Sequence, residues 1–179
     1  IPLSGVMYSG DIVCDGYGNV YYAVHGNKLS LAKLDSNGNT IWNLRNDNIL
    51  LGIRKIILDP KGNLITIGGF QGQFKLGNFN FSGTGQSVFV GLFNSQGELQ
   101  WGMQGTKEEN NYLLAIDRSP LTGSLYVTGY IQSPASSFGN ILLPNPKRTV
   151  QTAVLKITDP KFQPVTLNLG DNTTICPGE

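Results

Sequence analysis

The feature that most constrains this chain is a unit that occurs three times along its 179 residues. The first half of each unit is an apolar run, a turn and a second apolar run, at Ile12–Tyr21, Ile56–Ile65 and Leu113–Val127. The second half occurs at Leu31–Trp42, at Val90–Trp101 and, more faintly, at Ala153–Asp159. Repeated units of this size bury their apolar surface against one another, so the repeat dictates the fold.

The turns inside these units share one pattern, in which Asp or Asn is followed by two variable residues and then Gly. It occurs at Asp15–Gly18, Asp35–Gly38, Asp59–Gly62 and Asn94–Gly97. The Asp or Asn side chain can bond its own backbone, and Gly takes the left-handed conformation that closes a hairpin with a bulge. The flanking runs are short, rich in Val, Ile, Leu and Tyr, and lack a sustained helical period. The pattern predicts four strands per unit and no substantial helix.

Four short strands per unit at a period of roughly 45 to 60 residues are typical of β-propeller blades. We therefore expect an all-β fold of about three β-propeller-like, four-stranded blades, a partial propeller. The predicted blades cover about residues 10–45, 52–104 and 112–166. Composition agrees, because the chain has 23 Gly and only 14% charged residues, well below the usual proportion of about 25% charged residues.

Charge and hydropathy exclude two classes of partner. The chain has 13 basic and 12 acidic residues, whereas nucleic acids and anionic membranes need clustered Lys and Arg. No apolar run reaches about 18 residues, so no membrane-spanning helix is expected. The sequence opens on Ile1 rather than Met, and we expect any export signal or anchor to lie outside it.

The second unit also carries a family pattern. The segment Asp59–Phe70, followed by Phe74–Gly77, Val88–Val90 and Gly97–Trp101, resembles the repeat called SBBP, which forms seven-bladed β-propellers. The third unit keeps Gly129–Ile131, Phe138–Asn140 and Ala153–Ile157, whereas the first lacks the long middle hairpin. The resemblance covers about residues 11–159. It implies an exported bacterial surface protein, and hence an extracellular or cell-surface location.

The last residues depart from this repeat. Leu167–Glu179 is similar to the opening strand of an immunoglobulin-like or PKD-like module in very large adhesins of gliding bacteria, which the type IX secretion system exports. The resemblance implies that the repeats occupy residues 1–166 and that 167–179 are a linker and the start of such a module. It also implies a longer multidomain chain. In that family the cysteine corresponding to Cys176 pairs with another further along the module.

The histidine and the two cysteines are the candidate reactive groups of the chain. His25 is the only histidine, so no Ser-His-Asp triad or His-rich metal site can draw on more than one imidazole. We expect it at the end of a second strand, in a structural role. Cys14 lies in an apolar run that predicts an innermost strand, so we expect a small buried hydrophobe. We also expect that Cys14 and Cys176 are not joined, since they belong to distant units.

The carboxylates do not form a recognisable catalytic or metal-binding pattern. The run Asp35–Asn39 places oxygen side chains at alternate positions, but the Gly and Glu that a calcium loop needs are absent from their positions. The acidic pair Glu108 and Glu109 falls in the link between units, where a solvated loop is the simpler interpretation. We predict no catalytic residues, no cofactor and no metal site.

Two aromatic patterns have a packing and a binding interpretation. Trp42 and Trp101 occupy matching positions in the expected outermost strand, where such residues usually pack between blades, although an exposed Trp could stack on a sugar ring. The segment Gln71–Phe81 predicts an extended hairpin whose apolar side, formed by Phe74, Leu76, Phe79 and Phe81, lies on the scaffold.

These observations favour a non-catalytic β-propeller scaffold or interaction segment of a large extracellular bacterial surface protein or adhesin. The expected partners are a protein or a surface glycan, together with the rest of its own larger chain. Two alternatives remain: a carbohydrate-binding, lectin-like propeller, which would expose Trp or Tyr beside Asn and Asp, and a propeller glycosidase or lyase, which would converge carboxylates in a pocket.

Overall fold

Every element of secondary structure in the described part of the chain is a β-strand. The computed structural model describes residues 8–25, 29–46, 49–105, 111–132, 135–138, 141–145, 149–158 and 165–167. The strands are β1 (Tyr8–Cys14), β2 (Val20–His25), β3 (Leu29–Leu34), β4 (Thr40–Asn46), β5 (Leu51–Leu58), β6 (Leu64–Leu76), β7 (Phe79–Phe93), β8 (Leu99–Gln104), β9 (Tyr112–Arg118), β10 (Leu125–Ile131), β11 (Ala135–Phe138), β12 (Ile141–Pro144), β13 (Gln151–Ile157) and β14 (Val165–Leu167).

The strands form three four-stranded antiparallel sheets. Sheet 1 has the order β1-β2-β3-β4, sheet 2 the order β5-β6-β7-β8 and sheet 3 the order β9-β10-β13-β14. Between β10 and β13, the two-stranded hairpin β11-β12 is inserted. The all-β fold of four-stranded repeat units predicted from the sequence is confirmed. Residues 167–179 were expected to be a linker and the start of another module. Leu167 ends β14 and pairs with Val154 of sheet 3, and residues 168–179 lie outside the described residues.

The predicted Asp-to-Gly and Asn-to-Gly turns close hairpins in sheets 1 and 2. In the first, Asp15 Oδ1 accepts hydrogen bonds from the backbone N–H groups of Tyr17 and Asn19, both at 2.9 Å. Gly18 N donates to Asp15 O at 3.1 Å, and its φ of 79° is the left-handed value that the pattern requires. The other three turns repeat these bonds from Asp35, Asp59 and Asn94.

Sheet 2 lies between sheets 1 and 3, because each of its faces is buried in a separate apolar cluster. Leu64 belongs to the cluster shared with sheet 1, and the next residue, Ile65, belongs to the cluster shared with sheet 3. Successive side chains of a strand point to opposite faces, so the run 64–68 is buried throughout, as expected for a sheet covered on both faces. Tyr21 and Leu31 of sheet 1 and Val127 and Leu155 of sheet 3 supply the opposing surfaces.

Strands β6 and β7 continue beyond sheet 2 as a hairpin arm, residues 72–83, with pairs from Gly72↔Gly83 to Leu76↔Phe79. The ring of Phe81 is 4% exposed and lies 4.9 Å from that of Phe74 and 5.2 Å from that of Phe89. The alternate apolar residues predicted to lie on the scaffold all pack in or against the first cluster, and these are Phe74, Leu76, Phe79 and Phe81. The predicted extended hairpin is confirmed.

Candidate functional site

The structure separates the residues that were considered for chemistry. His25 ends β2, as predicted. Asp35 Oδ1 accepts hydrogen bonds from the backbone N–H groups of Asn37 and Asn39, and its Oδ2 accepts one from Asn39 Nδ2 at 2.9 Å. Its carboxylate is therefore bound within its own turn. Glu108 and Glu109 lie outside the described residues. Within the described ranges, no group of three or more His, Cys, Asp or Glu residues could hold a metal ion.

Cys14 is exposed, so the expectation that it is a buried hydrophobe is wrong. It ends β1 and pairs with Val20. The pleat of β1 directs Asp11 and Val13 toward sheet 2, and it therefore directs Ile12 and Cys14 to the opposite face. The prediction assumed that an apolar strand is covered on both faces, whereas no described sheet covers this one. Cys176 lies outside the described residues, so its pairing stays a prediction.

Trp42 packs between sheets, as predicted. Its Nε1 donates a hydrogen bond to Ser95 O, in the β7-β8 turn of sheet 2, at 2.9 Å. A Cβ atom added to Gly97 would meet the Trp42 ring at 2.9 Å, so the indole lies flat on that turn. Trp101 packs against the cluster between sheets 2 and 3, which confirms the packing interpretation for both tryptophans.

Asp11 joins β1 to β5 across the same interface. Its Oδ2 accepts a hydrogen bond from the backbone N–H of Ile56 at 2.9 Å, and its Oδ1 accepts one from Lys55 Nζ at 3.3 Å. A register shift between Ile53 and Lys55 interrupts the regular pairing of β5 immediately before this contact. Sheets 1 and 2 are therefore connected by specific polar contacts as well as by apolar packing.

Residues that pair directly across the four strands of a sheet form a row, and equivalent rows can be compared between sheets. In sheet 1, the row one residue pair away from the β1-β2 turn consists of Val13, Tyr21, Lys33 and Trp42. Tyr21 is 1% exposed, and Lys33, itself buried, places its Nζ 4.7 Å from the centre of the Tyr21 ring. Asp15 Oδ2 lies 3.8 Å from the same ammonium. Sheet 2 covers this row, which we call the matched row.

Sheet 3 repeats the matched row without a cover. The equivalent residues, one pair inside the β9-β10 turn, are Asp117, Tyr126 and Lys156. Lys156 Nζ lies 5.8 Å from the centre of the Tyr126 ring, so the stacked lysine and tyrosine of sheet 1 recur here. Tyr126 is 38% exposed, and no other sheet of the described structure lies against it. We define the open face of sheet 3 as Asp117, Tyr126, Thr128, Tyr130, Val154 and Lys156.

An aromatic pair continues this face. The rings of Tyr112 and Tyr130 lie 4.9 Å apart, and the guanidinium carbon of Arg54 lies 5.8 Å from the centre of the Tyr112 ring. Arg54 belongs to β5 of sheet 2, so this pair lies where sheets 2 and 3 meet. Tyrosine rings with adjacent cations are frequent in protein-binding surfaces. These tyrosines were not among the residues predicted from the sequence, although the alternation of Tyr126, Thr128 and Tyr130 on one strand was a usable signal.

Sheet 1 has an uncovered surface at the opposite end. We define the open face of sheet 1 as Ile12, Cys14, Val20, Tyr22 and Leu34, which share one side of β1, β2 and β3. Ala32 lies on the same side but is buried, at 1% exposure. Ile12 is 65% exposed, whereas the equivalent residue of sheet 2, Ile56, is 3% exposed. The described structure therefore has two uncovered sheet faces, each equivalent to a face that is covered elsewhere in the same molecule.

Comparison with models of known protein families finds no match, and a search of curated proteins finds no match either. Among the described residues, no helix has the length and apolar character needed to cross a membrane.

Proposed function

We propose that the chain is a non-catalytic, β-propeller-type scaffold or interaction segment of a large extracellular bacterial surface protein or adhesin. The observation that carries this proposal is the regular stacking of three equivalent sheets, which leaves the open faces of sheets 1 and 3 at the two ends. In repeat architectures each unit is stabilised by its neighbours, so open faces of this kind favour association with further sheets of the same repeat.

The proposed setting is supported by the SBBP-like residues of the second and third units and by the adhesin-like segment Leu167–Glu179. Its proposed partners are a protein or a surface glycan, and further repeats of its own larger chain. The net charge of +1 argues against a nucleic-acid partner, because such partners need clustered Lys and Arg.

Surface labelling tests the setting directly. An antibody raised against residues 1–179 should label intact cells of the source organism, and mild protease treatment of the cells should remove the signal. Disabling the type IX secretion system should leave the antigen inside the cell. Labelling only after lysis would overturn the extracellular proposal. An antibody against a cytoplasmic enzyme, applied to the same cells, controls for leakage.

Carbohydrate binding is the second candidate, and the aromatic pair Tyr112 and Tyr130 beside Arg54 favours it. Aromatic faces stack on the apolar faces of sugar rings, while neighbouring polar groups bond the hydroxyls. Titration calorimetry against a panel of bacterial and host oligosaccharides should detect binding that Tyr130→Ala abolishes. Tyr17→Ala is the matched control, because Tyr17 is an exposed tyrosine in the turn after β1. Binding that survives Tyr130→Ala would contradict a site at this pair.

A further inference from the structure

We infer that the open face of sheet 3 binds the open face of sheet 1 in a second copy of this chain, so that two copies join head to tail. The inference deepens the proposed scaffold role, and rests on it for the idea that open faces take a sheet of the same repeat. What it adds is the identity of the partner and the two faces that meet.

The open face of sheet 3 has the chemistry of a face that already binds a sheet. Tyr126 and Lys156 are equivalent to Tyr21 and Lys33 in the matched row, and in both pairs the ammonium lies over the tyrosine ring. In sheet 1, the tyrosine lies in the cluster shared with sheet 2, and the lysine is also buried. Val154 and Thr128 are the counterparts of Leu31 and Ala23, which lie in that same buried cluster. The surface that holds sheet 2 against sheet 1 is thus present a second time, uncovered.

The open face of sheet 1 supplies the complementary surface. The residue pair next to its β1-β2 turn, Cys14 and Val20, is equivalent to the pair Leu58 and Leu64 next to the β5-β6 turn of sheet 2. Leu58 and Leu64 pack in or against the cluster shared by sheets 1 and 2. Ile12 is equivalent to Ile56, a buried member of that cluster. Sheet 1 therefore presents to solvent the type of face that sheet 2 presents to sheet 1.

A second copy is the inferred occupant because the described residues display one uncovered face of each kind. In the first internal interface, the face of sheet 1 that contains the matched row packs against the face of sheet 2 that contains Leu64. In the second, the other face of sheet 2, which contains Ile65 and the row equivalent to the matched row, packs against the face of sheet 3 that contains Leu125. Joining sheet 3 of one copy to sheet 1 of another continues that same pairing. A contact between two different patches is heterologous, so it extends to a ring or a linear assembly rather than stopping at a symmetric pair. Continuity with the internal interfaces, rather than exposure alone, selects this partner.

Sedimentation velocity of residues 1–179, from about 1 μM to about 1 mM, should show association that increases with concentration. Ile12→Asp alters only the open face of sheet 1, and Tyr126→Asp alters only that of sheet 3. Each should weaken association roughly tenfold or more, because an uncompensated carboxylate is costly to bury against apolar surface. Leu121→Asp is the control, since Leu121 is an exposed hydrophobe in the β9-β10 turn, outside both faces, and it should associate like the parent chain.

Mixing the two variants tests the head-to-tail arrangement. Ile12→Asp retains an intact sheet 3 face and Tyr126→Asp retains an intact sheet 1 face, so the mixture should form a one-to-one dimer that grows no further. Association that Ile12→Asp abolishes but Tyr126→Asp leaves intact would indicate a symmetric contact and overturn the inference. A parent chain that stays monomeric throughout would also overturn it. Neither result would alter the surface-labelling experiment, so failure here is distinguishable from failure of the proposed function.

Two further measurements keep the test independent of folding defects. Circular dichroism should show unchanged strand content in each variant. Tyr22→Asp alters the open face of sheet 1 and Val154→Asp alters that of sheet 3, so each should weaken association as Ile12→Asp and Tyr126→Asp do. The rate of Cys14 alkylation, followed by peptide mass spectrometry that separates it from Cys176, should fall at concentrations where the chain associates. A rate independent of concentration, in a chain that associates, would place the contact elsewhere and overturn the inference.

Discussion

Trp42 and Ser95 connect two sheets that belong to successive repeats: the indole N–H of Trp42 donates to the carbonyl oxygen of Ser95 at 2.9 Å. Ser95 lies in the turn that joins β7 to β8, and the Trp42 ring lies over Gly97 of the same turn. The Asn-to-Gly turn therefore has two functions, because it closes a hairpin in sheet 2 and also receives the outermost strand of sheet 1.

Gly97→Ala should destabilise the protein more than Gly38→Ala. Both glycines have left-handed backbones, with φ of 82° and 85°, so a side chain costs about 1 kcal/mol or somewhat more at either position. Only at Gly97 would the new Cβ meet the Trp42 ring, and nothing lies within 4 Å at Gly38. The clash should add about 1 to 3 kcal/mol. Urea unfolding measures both; equal losses would contradict the packing of Trp42 on this turn.

Asp11→Ala should destabilise the protein by about 1 to 3 kcal/mol, because the partly buried N–H of Ile56 loses its acceptor. The matched control is Lys55→Ala, which removes the other partner of the same carboxylate. The Lys55 side chain is 48% exposed, and exposed ion pairs contribute about 0 to 1 kcal/mol. Chemical denaturation of both variants should give the larger loss for Asp11→Ala. The reverse order would show that the ion pair, rather than the backbone hydrogen bond, connects β1 to β5.

Phe81→Ala should cost about 3 to 5 kcal/mol, since the ring is buried against Phe89 and its removal leaves a cavity. Phe79→Ala is the control, because Phe79 lies on the same side of the arm but is only partly buried, and it should cost less. Thermal unfolding compares the two directly. Similar small losses would mean that the arm contributes little to the cluster between sheets 1 and 2.

The sequence predicted the repeat units, hairpin turns, extended arm and Trp packing because each has a local signal. Asp59-Pro60-Lys61-Gly62, for example, specifies its turn through an acceptor side chain and a residue that tolerates positive φ. Alternating Phe74 and Leu76 similarly specify one face of the arm. These features depend on neighbouring residues of one strand or one turn.

The exposure of Cys14 could not be predicted in the same way. An apolar run shows that a strand has a hydrophobic face, but whether a second sheet covers that face depends on tertiary neighbours that are distant in sequence. The tyrosines of the open face of sheet 3 were missed for a related reason. Tyr126 matches Tyr21 only when the strands are aligned by register, and the longer turn between Arg118 and Leu125 shifts that alignment in the sequence.

Acid should remove part of the stability that the Asp35 turn provides. The side chain and backbone N–H of Asn39 donate to the Asp35 carboxylate, and together with the N–H groups of Asn37 and Gly38 they hold its pKa below its ordinary value. A carboxyl with a lower pKa in the folded state stabilises the protein above its unfolded pKa of about 3.9, and this contribution is lost as the pH falls through the folded pKa.

Asp35→Asn should keep the turn, since Asn94 makes the equivalent backbone bonds at the corresponding position. The parent chain should therefore be more stable than the variant at neutral pH, and the two should converge in acid. Urea unfolding at several pH values, with a carbon-detected NMR titration of Asp35, measures both quantities; a difference that persists unchanged into acid would contradict this account.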